Sequence, residues 1–519
     1  MAVKKKTRRK FTYAFLLIIL LMIISFSLDK LYDTNFEVKD NEEEYSDDNL
    51  EQVYKEKVDI SIGLVDIDTF NPILTQNIDV INFNKLIYNS LFDYDKDMQL
   101  VMQLVDSFNC NDNNIYIKLQ KGIKWHDGTE LTAYDVDFTI RMIKEYKGIY
   151  YDFVKNILQV EVIDNYTLNI VVADKGVLTQ YDLTFPIISS RYYENEDFKK
   201  TDKNMMPMGT GMYRYVYTND KYYNFTCNNK YGKSHIENIY VYNYTSISEA
   251  FANVKNKKVD MIFTSLTNYD DYIGKIGYLK EEYIDNTYVF LAVNIGNKYL
   301  NNVNVRKAIN ISIDKEAIFS QVYNGIGYVS QSLLYPQSYL YKNIDENYDI
   351  DQAKQILIDN KLINEISLNL LVNNNDDDIK VADLIKSQLE KINIKVDVVV
   401  KSKKDYNEAL KNNMYDLALV NFNITSNINM NMFEDNQFYS VFNFENVEFK
   451  NYIANIKNLN TYDERKESFD KMQELILDYI PYIGIGFKVN SIIYSPDLLG
   501  VTDARYNNLF HNISEFYKK

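Results

Sequence analysis

Residues 115–143 read IYIKLQKGIKWHDGTELTAYDVDFTIRMI. Ile115, Ile117 and Leu119 alternate with Tyr116 and Lys118, the period-2 pattern of a strand with one buried face. Lys121-Gly122 and Asp127-Gly128 are turn dipeptides on either side of a short apolar piece, Ile123-Lys124-Trp125. Thr132 stands at an N-cap position, with Asp135 three residues on as an acidic variant of the capping box. Val136, Ile140 and Ile143 then fall at i, i+4 and i+7, on one face of a helix. The stretch predicts a strand, two turns and a capped helix in one compact unit.

Around this unit lie 519 residues, enough for about three domains at ~150 residues each. A hydrophobic fraction of 46% with 14% aromatics describes a folded globular chain. The formal net charge of -16 argues against nucleic acid, whose binding needs clustered Lys and Arg. An acidic exterior also keeps a protein soluble and weakly repelled from anionic lipid. The amino end differs. Residues 4–10 are KKKTRRK, and residues 11–28 carry no charge. A secretory signal has a shorter apolar run ending in an A-x-A-like site, and here only Ser25-Phe26-Ser27 offers one. The run is near the lower limit for crossing a bilayer, which favours an uncleaved single-span anchor. By the positive-inside rule everything after Leu28 lies outside the cell, so anchor and signal both mean export. Residues 29–57, with Glu42-Glu43-Glu44 and Asp47-Asp48, read as a solvated acidic linker. Cys110 and Cys227 permit one disulfide without requiring it. With His126, His235 and His511 alone and no C-x-x-C, no metal site is expected.

Beyond the linker, residues 58–65 alternate as a strand and run into Phe70-Asn71-Pro72. Apolar spacing predicts a helix over 81–91. Residues 160–163 and 168–172 form a hairpin across Asp164-Asn165. Gly209-Thr210-Gly211 lacks the third glycine of a nucleotide loop and opens a strand (Tyr213, Tyr215, Tyr217), so it reads as a tight turn. A continuous apolar strand covers 288–294. Asp314 caps the next helix and Gly325 ends it. Strands at 367–372, 395–400 and 416–421 alternate with helices at 377–391 and 403–412, the order of a parallel α/β sheet. Ligands in such sheets sit beyond the carboxyl ends of the strands, here from Asn421 onward. Thr461 and Glu464 open a helix stopped by Pro481, and 483–489 is a return strand.

The unit at 119–136, Leu119 and Lys-Gly-Ile-Lys-Trp-His-Asp-Gly followed by Leu-Thr-Ala-x-Asp-Val, resembles the signature of the family 5 extracellular solute-binding proteins, the peptide-binding subunits of ABC importers. Pro207 to Tyr213 is similar to the family's P-x-G-T-G-P-Y, with Met212 at the second proline. Asn304 to Ala308 is similar to its D-V-R-V-R-x-A block. The resemblance implies an α/β, two-lobed periplasmic-binding-protein-like (Venus flytrap) fold with an extra subdomain in the first lobe, preceded by one transmembrane helix. The expected layout is a cytoplasmic segment 1–10, an anchor or signal 11–28, the linker 29–57, a first lobe 58–287 with a subdomain inserted at about 85–203, a second lobe 288–485, and a return to the first lobe over 486–519.

The same resemblance implies a ligand held between the lobes. Its expected contacts are Gln76, Asn77 and Ile78 on the first wall, Tyr151, the crossing-strand aromatics Tyr288 and Phe487, and Asn421, Phe422, Asn423 and Thr425. Peptide binders of the family hold the ligand's amine with an Asp in a segment that Tyr415-Asp416-Leu417-Ala418 matches well. The chain then departs: Asn421 replaces Gly, Phe422 replaces Trp, and Thr425 stands at the Asp. Gly484 and Gly486, where the family often carries aromatics, imply a roomier or differently shaped cleft. Enzyme signatures such as G-x-S-x-G, H-E-x-x-H and the P-loop are missing, so no catalytic residue and no cofactor are expected. The implied partners are a peptide or peptide-like solute, ABC permease and ATPase subunits, and the membrane through the amino-terminal helix, with the chain a monomer at the outer face of the cytoplasmic membrane. The alternative is a tethered sensor or scaffold of the same fold that feeds no importer.

Overall fold

The computed structural model describes residues 57–519 apart from 96, 112, 174–179, 229, 231, 275–276, 345–346, 363–365 and 425–461. The basic segment, the apolar run 11–28, the linker up to residue 56 and the expected contact Thr425 lie outside the described residues. Among the described residues no helix is long and apolar enough to cross a membrane.

Two long antiparallel strands, Leu279–Val293 and Tyr482–Tyr494, form the centre of the fold. Val289, Leu291 and Val293 enter one hydrophobic core, while Tyr288, Phe290 and Ala292 enter another on the opposite face. Successive strand side chains point to opposite faces, so a strand covered on both faces reads as a continuous apolar run. That is why 288–294 shows no polar alternation. Tyr482–Tyr494 pairs onward with Met261–Thr264, which adjoins Val58–Val65 and then Ile236–Tyr244, Tyr223–Cys227 and the edge strand Tyr213–Thr218. On its other side Leu279–Val293 pairs with Leu417–Asn423, which joins Ile366–Asn373 and Ile394–Lys401 in parallel. The two central strands thus carry the chain between two sheet halves that otherwise share no strand.

The parallel half follows the sequence reading closely. Parallel neighbours need a crossover, supplied by Asp376–Glu390 and Lys403–Lys411. Both helices start where a side chain accepts an otherwise orphaned amide. The Asn375 side chain takes the Asp378 N–H at 2.9 Å, and Ser402 Oγ takes that of Asp405. The predicted helix at 81–91 instead spans Ile78–Asn84 and gives way to turns. Asn77 causes the early start, because its side-chain oxygen accepts from the Asp79 and Val80 amides.

A second sheet, of four antiparallel strands, is built from Val105–Asn111, Asn114–Leu119, Thr167–Val172 and Ile157–Asp164, including the expected hairpin. Ile115, Ile117 and Leu119 are buried as their spacing requires, and Trp125 is buried beside them. The helix Ala133–Tyr146 buries Val136, Ile140 and Ile143. Its cap does more than start the helix. One oxygen of the buried Asp135 accepts the Thr132 N–H at 2.8 Å, and the other accepts the Ser190 N–H and hydroxyl, both at 2.8 Å.

His126 ties this unit to the 207–213 turn. Its Nδ1 accepts the Gly209 N–H at 3.2 Å, and its Nε2 reaches the Gly211 carbonyl at 2.9 Å. The ring is therefore neutral with the proton on Nε2, and burial lowers its pKa to about 4. Gly209 and Gly211 are required by close approach: a Cβ would lie 1.8 Å from the Ile87 carbonyl oxygen and 2.5 Å from that of Leu86, respectively. Cys110 and Cys227 are both free thiols, so the permitted disulfide is not formed.

Candidate functional site

The ends of three neighbouring strands bring several expected contacts together. Tyr288 lies directly opposite Phe422 on one side and Phe487 on the other. Paired positions share a sheet face, so Phe422, Tyr288 and Phe487 form a row, with the last two rings 4.9 Å apart. Tyr288 and Phe487 are fully buried, however, and the Tyr288 hydroxyl donates to the carbonyls of Gln331 at 2.8 Å and Ser330 at 3.1 Å. These two residues hold the crossing strands together. Only half-buried Phe422 and exposed Asn421 and Asn423 remain open. Asn421 donates to Asp378 at 2.9 Å, and Asn423 accepts from the Thr287 hydroxyl at 3.1 Å.

Of the roomier or differently shaped cleft expected at Gly484 and Gly486, the extra room is corrected by the structure. A Cβ at Gly484 would lie 2.2 Å from the Tyr288 hydroxyl and 2.7 Å from Gln331 Cα; at Gly486 it would lie 2.2 Å from the Tyr328 carbonyl. The absent side chains make room for the Tyr328–Val329 strand, which pairs with Phe487 and Gly486. They open no cavity for ligand.

On the first-lobe wall, Asn77 uses both ends of its amide internally, capping a helix and donating to the Val65 carbonyl at 2.6 Å and the Asp66 carbonyl at 2.9 Å. It is a structural residue. Gln76 and Ile78 are exposed, Ile78 at 57%. Tyr151 sits on the short helix Tyr151–Val154, beneath the Lys147 ammonium. The preceding turn approaches the first-lobe wall, since a Cβ on Gly148 would fall 2.5 Å from the Ile73 carbonyl.

Other residues at this seam carry no signal in the sequence. Asp79, in the first turn of the Ile78–Asn84 helix, has no hydrogen-bond or ion-pair partner for its carboxylate among the described residues, and burial pushes its pKa up to about 6. Burial, followed by the charges of Asp79 and Asp285, raises the Tyr283 phenol on the crossing strand. Arg465, on the helix Tyr462–Tyr479, is buried and places its guanidinium 4.1 Å from the centre of the Tyr181 ring. Tyr339 hydrogen-bonds with both Tyr181 and Arg465. Tyr181 precedes the crossing strands and Arg465 lies between them in sequence, so this cluster brings together segments far apart in the chain. Among the described residues no group of three or more His, Cys, Asp or Glu could hold a metal.

The arrangement has relatives. Residues 99–444 match the family model of bacterial extracellular solute-binding proteins, family 5 middle. Heme-binding protein A of Haemophilus influenzae is 22% identical over 486 residues, 82% of this chain and 86% of that protein. Oligopeptide-binding protein AppA of Bacillus subtilis is 26% identical over 325 residues, 58% of this chain and 58% of that protein. Among solved structures, the ABC transporter substrate-binding protein CtaP of Listeria monocytogenes superposes with a TM-score of 0.72 at 20% identity, over 89% of this chain and 100% of that one, a likeness of fold. With more than half of its length matching the family model, and the two sheet halves joined by two crossing strands, the chain belongs to the bacterial extracellular solute-binding proteins of family 5.

Proposed function

We propose that the protein is the extracytoplasmic binding subunit of an ABC importer. It closes two lobes on an oligopeptide or related solute and passes it to a membrane permease, tethered at the outer face of the cytoplasmic membrane by residues 11–28. The observation that carries this reading is the pair of crossing strands, Leu279–Val293 and Tyr482–Tyr494, as the shared connection between two sheet halves. Such a connection lets lobes rotate about a hinge while both stay folded. Ligand then shifts the population toward the closed form through contacts it makes on both walls. The protein is a binder and not an enzyme, as its relatives are. Relatives named for oligopeptides and for heme show that one fold serves different ligands, and the polar seam residues Asp79, Tyr339 and Arg465 favour the peptide side of that choice.

The test is a thermal-unfolding screen of the full-length protein against defined peptide pools and heme. A ligand at a hundredfold excess over its Kd should add on the order of 2.7 kcal/mol to stability. Stabilisation by heme and by no peptide would overturn the peptide reading. The second reading, a tethered sensor or scaffold, is favoured by Thr425 where the family's peptide binders carry Asp. Permease and ATPase genes adjoining this one would decide for import.

A further inference from the structure

The first-lobe end of the large sheet has two faces of different character. On the strands Ile236–Tyr244 and Tyr223–Cys227, Ile239, Val241, Tyr223 and Phe225 pack into the core. Strand alternation sends Tyr240, Tyr242, Tyr244 and Asn224 to the other face. The helix Ile247–Lys255 covers that outer face at one end, where Ala250, Phe251 and Val254 share a cluster with Tyr244.

From beneath the helix a row of rings runs out into solvent. Tyr244 stacks on Tyr242 with 6.3 Å between ring centres, and Tyr242 lies 5.6 Å from Tyr222. Tyr222 in turn lies 4.9 Å from Tyr240 and 6.2 Å from Tyr217. Exposure rises along the row from 6% at Tyr244 to 44% at Tyr217.

Asn224 is the unusual member of this face. It is paired across the strands with Tyr240 on one side and Tyr217 on the other, so its amide lies between two phenols. Asn224 is 4% exposed, and its side chain has no hydrogen-bond partner among the described residues. An amide this deep normally has its donors and its oxygen bonded. The phenols around it are engaged elsewhere: Tyr240 donates to Asp59 at 3.1 Å, and the Tyr217 and Tyr222 hydroxyls lie 3.2 Å apart. Cross-strand ring pairs stabilise a sheet by themselves. That accounts for the rings and not for an unbonded amide among them.

Charge narrows what fits there. The adjoining row across the strands is Asp59, Asn238, Thr226 and Arg214, with one charge of each sign at its two ends. This nearly neutral face belongs to a chain of net charge -16, so a polyanion, an anionic bilayer or a second copy would meet net repulsion. The edge strand Tyr213–Thr218 is bulged between Tyr215 and Tyr217, which disfavours pairing with a strand of another molecule. An apolar partner would leave the Asn224 amide buried and unbonded.

We propose that this outer face is a binding site for an uncharged glycan chain. A pyranose ring has an apolar C–H face, which stacks on the phenol rings, and a rim of hydroxyls, which bond the Asn224 amide. Such a site holds the protein to a polysaccharide outside the cell and takes no part in capturing the solute between the lobes.

The experiment uses the full-length protein and measures its binding to two neutral β-linked oligosaccharides, cellohexaose and hexameric N-acetylglucosamine, by calorimetry. At least one should bind. Tyr217→Ala should weaken that binding by about tenfold or more, and Tyr217→Phe, which keeps the ring, should retain most of it. Asn224→Leu should weaken it as well; the variants at exposed Tyr217 decide the matter if Asn224→Leu does not fold. Tyr134→Ala, at a position 55% exposed elsewhere on the surface, should change nothing. No binding of either oligosaccharide, or binding that Tyr217→Ala leaves intact, would overturn the glycan site. So would association with phosphatidylglycerol vesicles, or a concentration-dependent dimer, that is abolished by Tyr217→Ala while neither oligosaccharide binds. Thermal shifts caused by a cleft solute should be the same in Tyr217→Ala and the parent protein, so this site and the solute-binding reading fail separately.

Discussion

At the scale of single residues, two half-buried titratable groups act on stability with opposite signs. His126 accepts from the Gly209 N–H only while neutral, and its pKa falls from 6.5 to about 4 in the fold. The unfolded chain binds the extra proton between those values, so this contribution is complete above pH 6.5 and is lost as pH falls toward 4. Asp79 is the reverse. Its pKa rises from 3.8 to about 6, so the native state binds the proton first and stability is lost as pH rises through 6. At ~1.36 kcal/mol per unit each effect is at most on the order of 3 kcal/mol, and less after screening, since both side chains keep some solvent contact. The two offset one another between pH 4 and 6, and variants should separate them. Asp79→Asn should raise the unfolding temperature at pH 7 and change it little at pH 3.5. His126→Ala should cost ~1–3 kcal/mol of stability at pH 7 and remove the loss between pH 6.5 and 4. Thermal unfolding across that range checks both. The sequence marks His126 as a turn residue without a metal partner, but its role as a latch depends on a turn more than eighty positions away.

At the scale of elements, the glycines of the return strand are where close packing replaces side chains. Gly484→Ala would press a Cβ against the Tyr288 hydroxyl and the Gln331 backbone, an overpacking that should cost ~1–3 kcal/mol. Tyr288→Phe, which loses the bonds to the Ser330 and Gln331 carbonyls, should cost ~1–3 kcal/mol and should relieve part of the Gly484→Ala penalty in the double variant. Denaturant unfolding of the four proteins reads the coupling. Helices at 377–391 and 403–412 are legible to within about a residue because Asn375 and Ser402 are local caps. The helix predicted at 81–91 from apolar spacing starts instead at Ile78, because the Asn77 side chain caps it there.

At the scale of the whole molecule, the Arg465–Tyr181–Tyr339 cluster bears on how the lobes meet. A desolvated cation–π contact is worth ~2 kcal/mol, and here it links Tyr181, ahead of the first crossing strand, to Arg465, between the two. Arg465→Ala should therefore enlarge the radius of gyration of the ligand-free protein in small-angle scattering and weaken ligand binding, because more of the population must be closed by the ligand itself. An unchanged radius and affinity would show that the contact has no part in closure. The sequence by itself determined the family, the parallel sheet half, the capped unit at 115–143 and the crossing strand at 288–294. Each of these is written in local periodicity, caps and turns, which act over a few residues. Which of the candidate contacts are exposed was settled only by folding. It buried Tyr288 and Phe487, filled the space beside Gly484, and set Arg465 over Tyr181. Arg465 and Tyr181 are separated by hundreds of residues, beyond the reach of local periodicity, caps and turns.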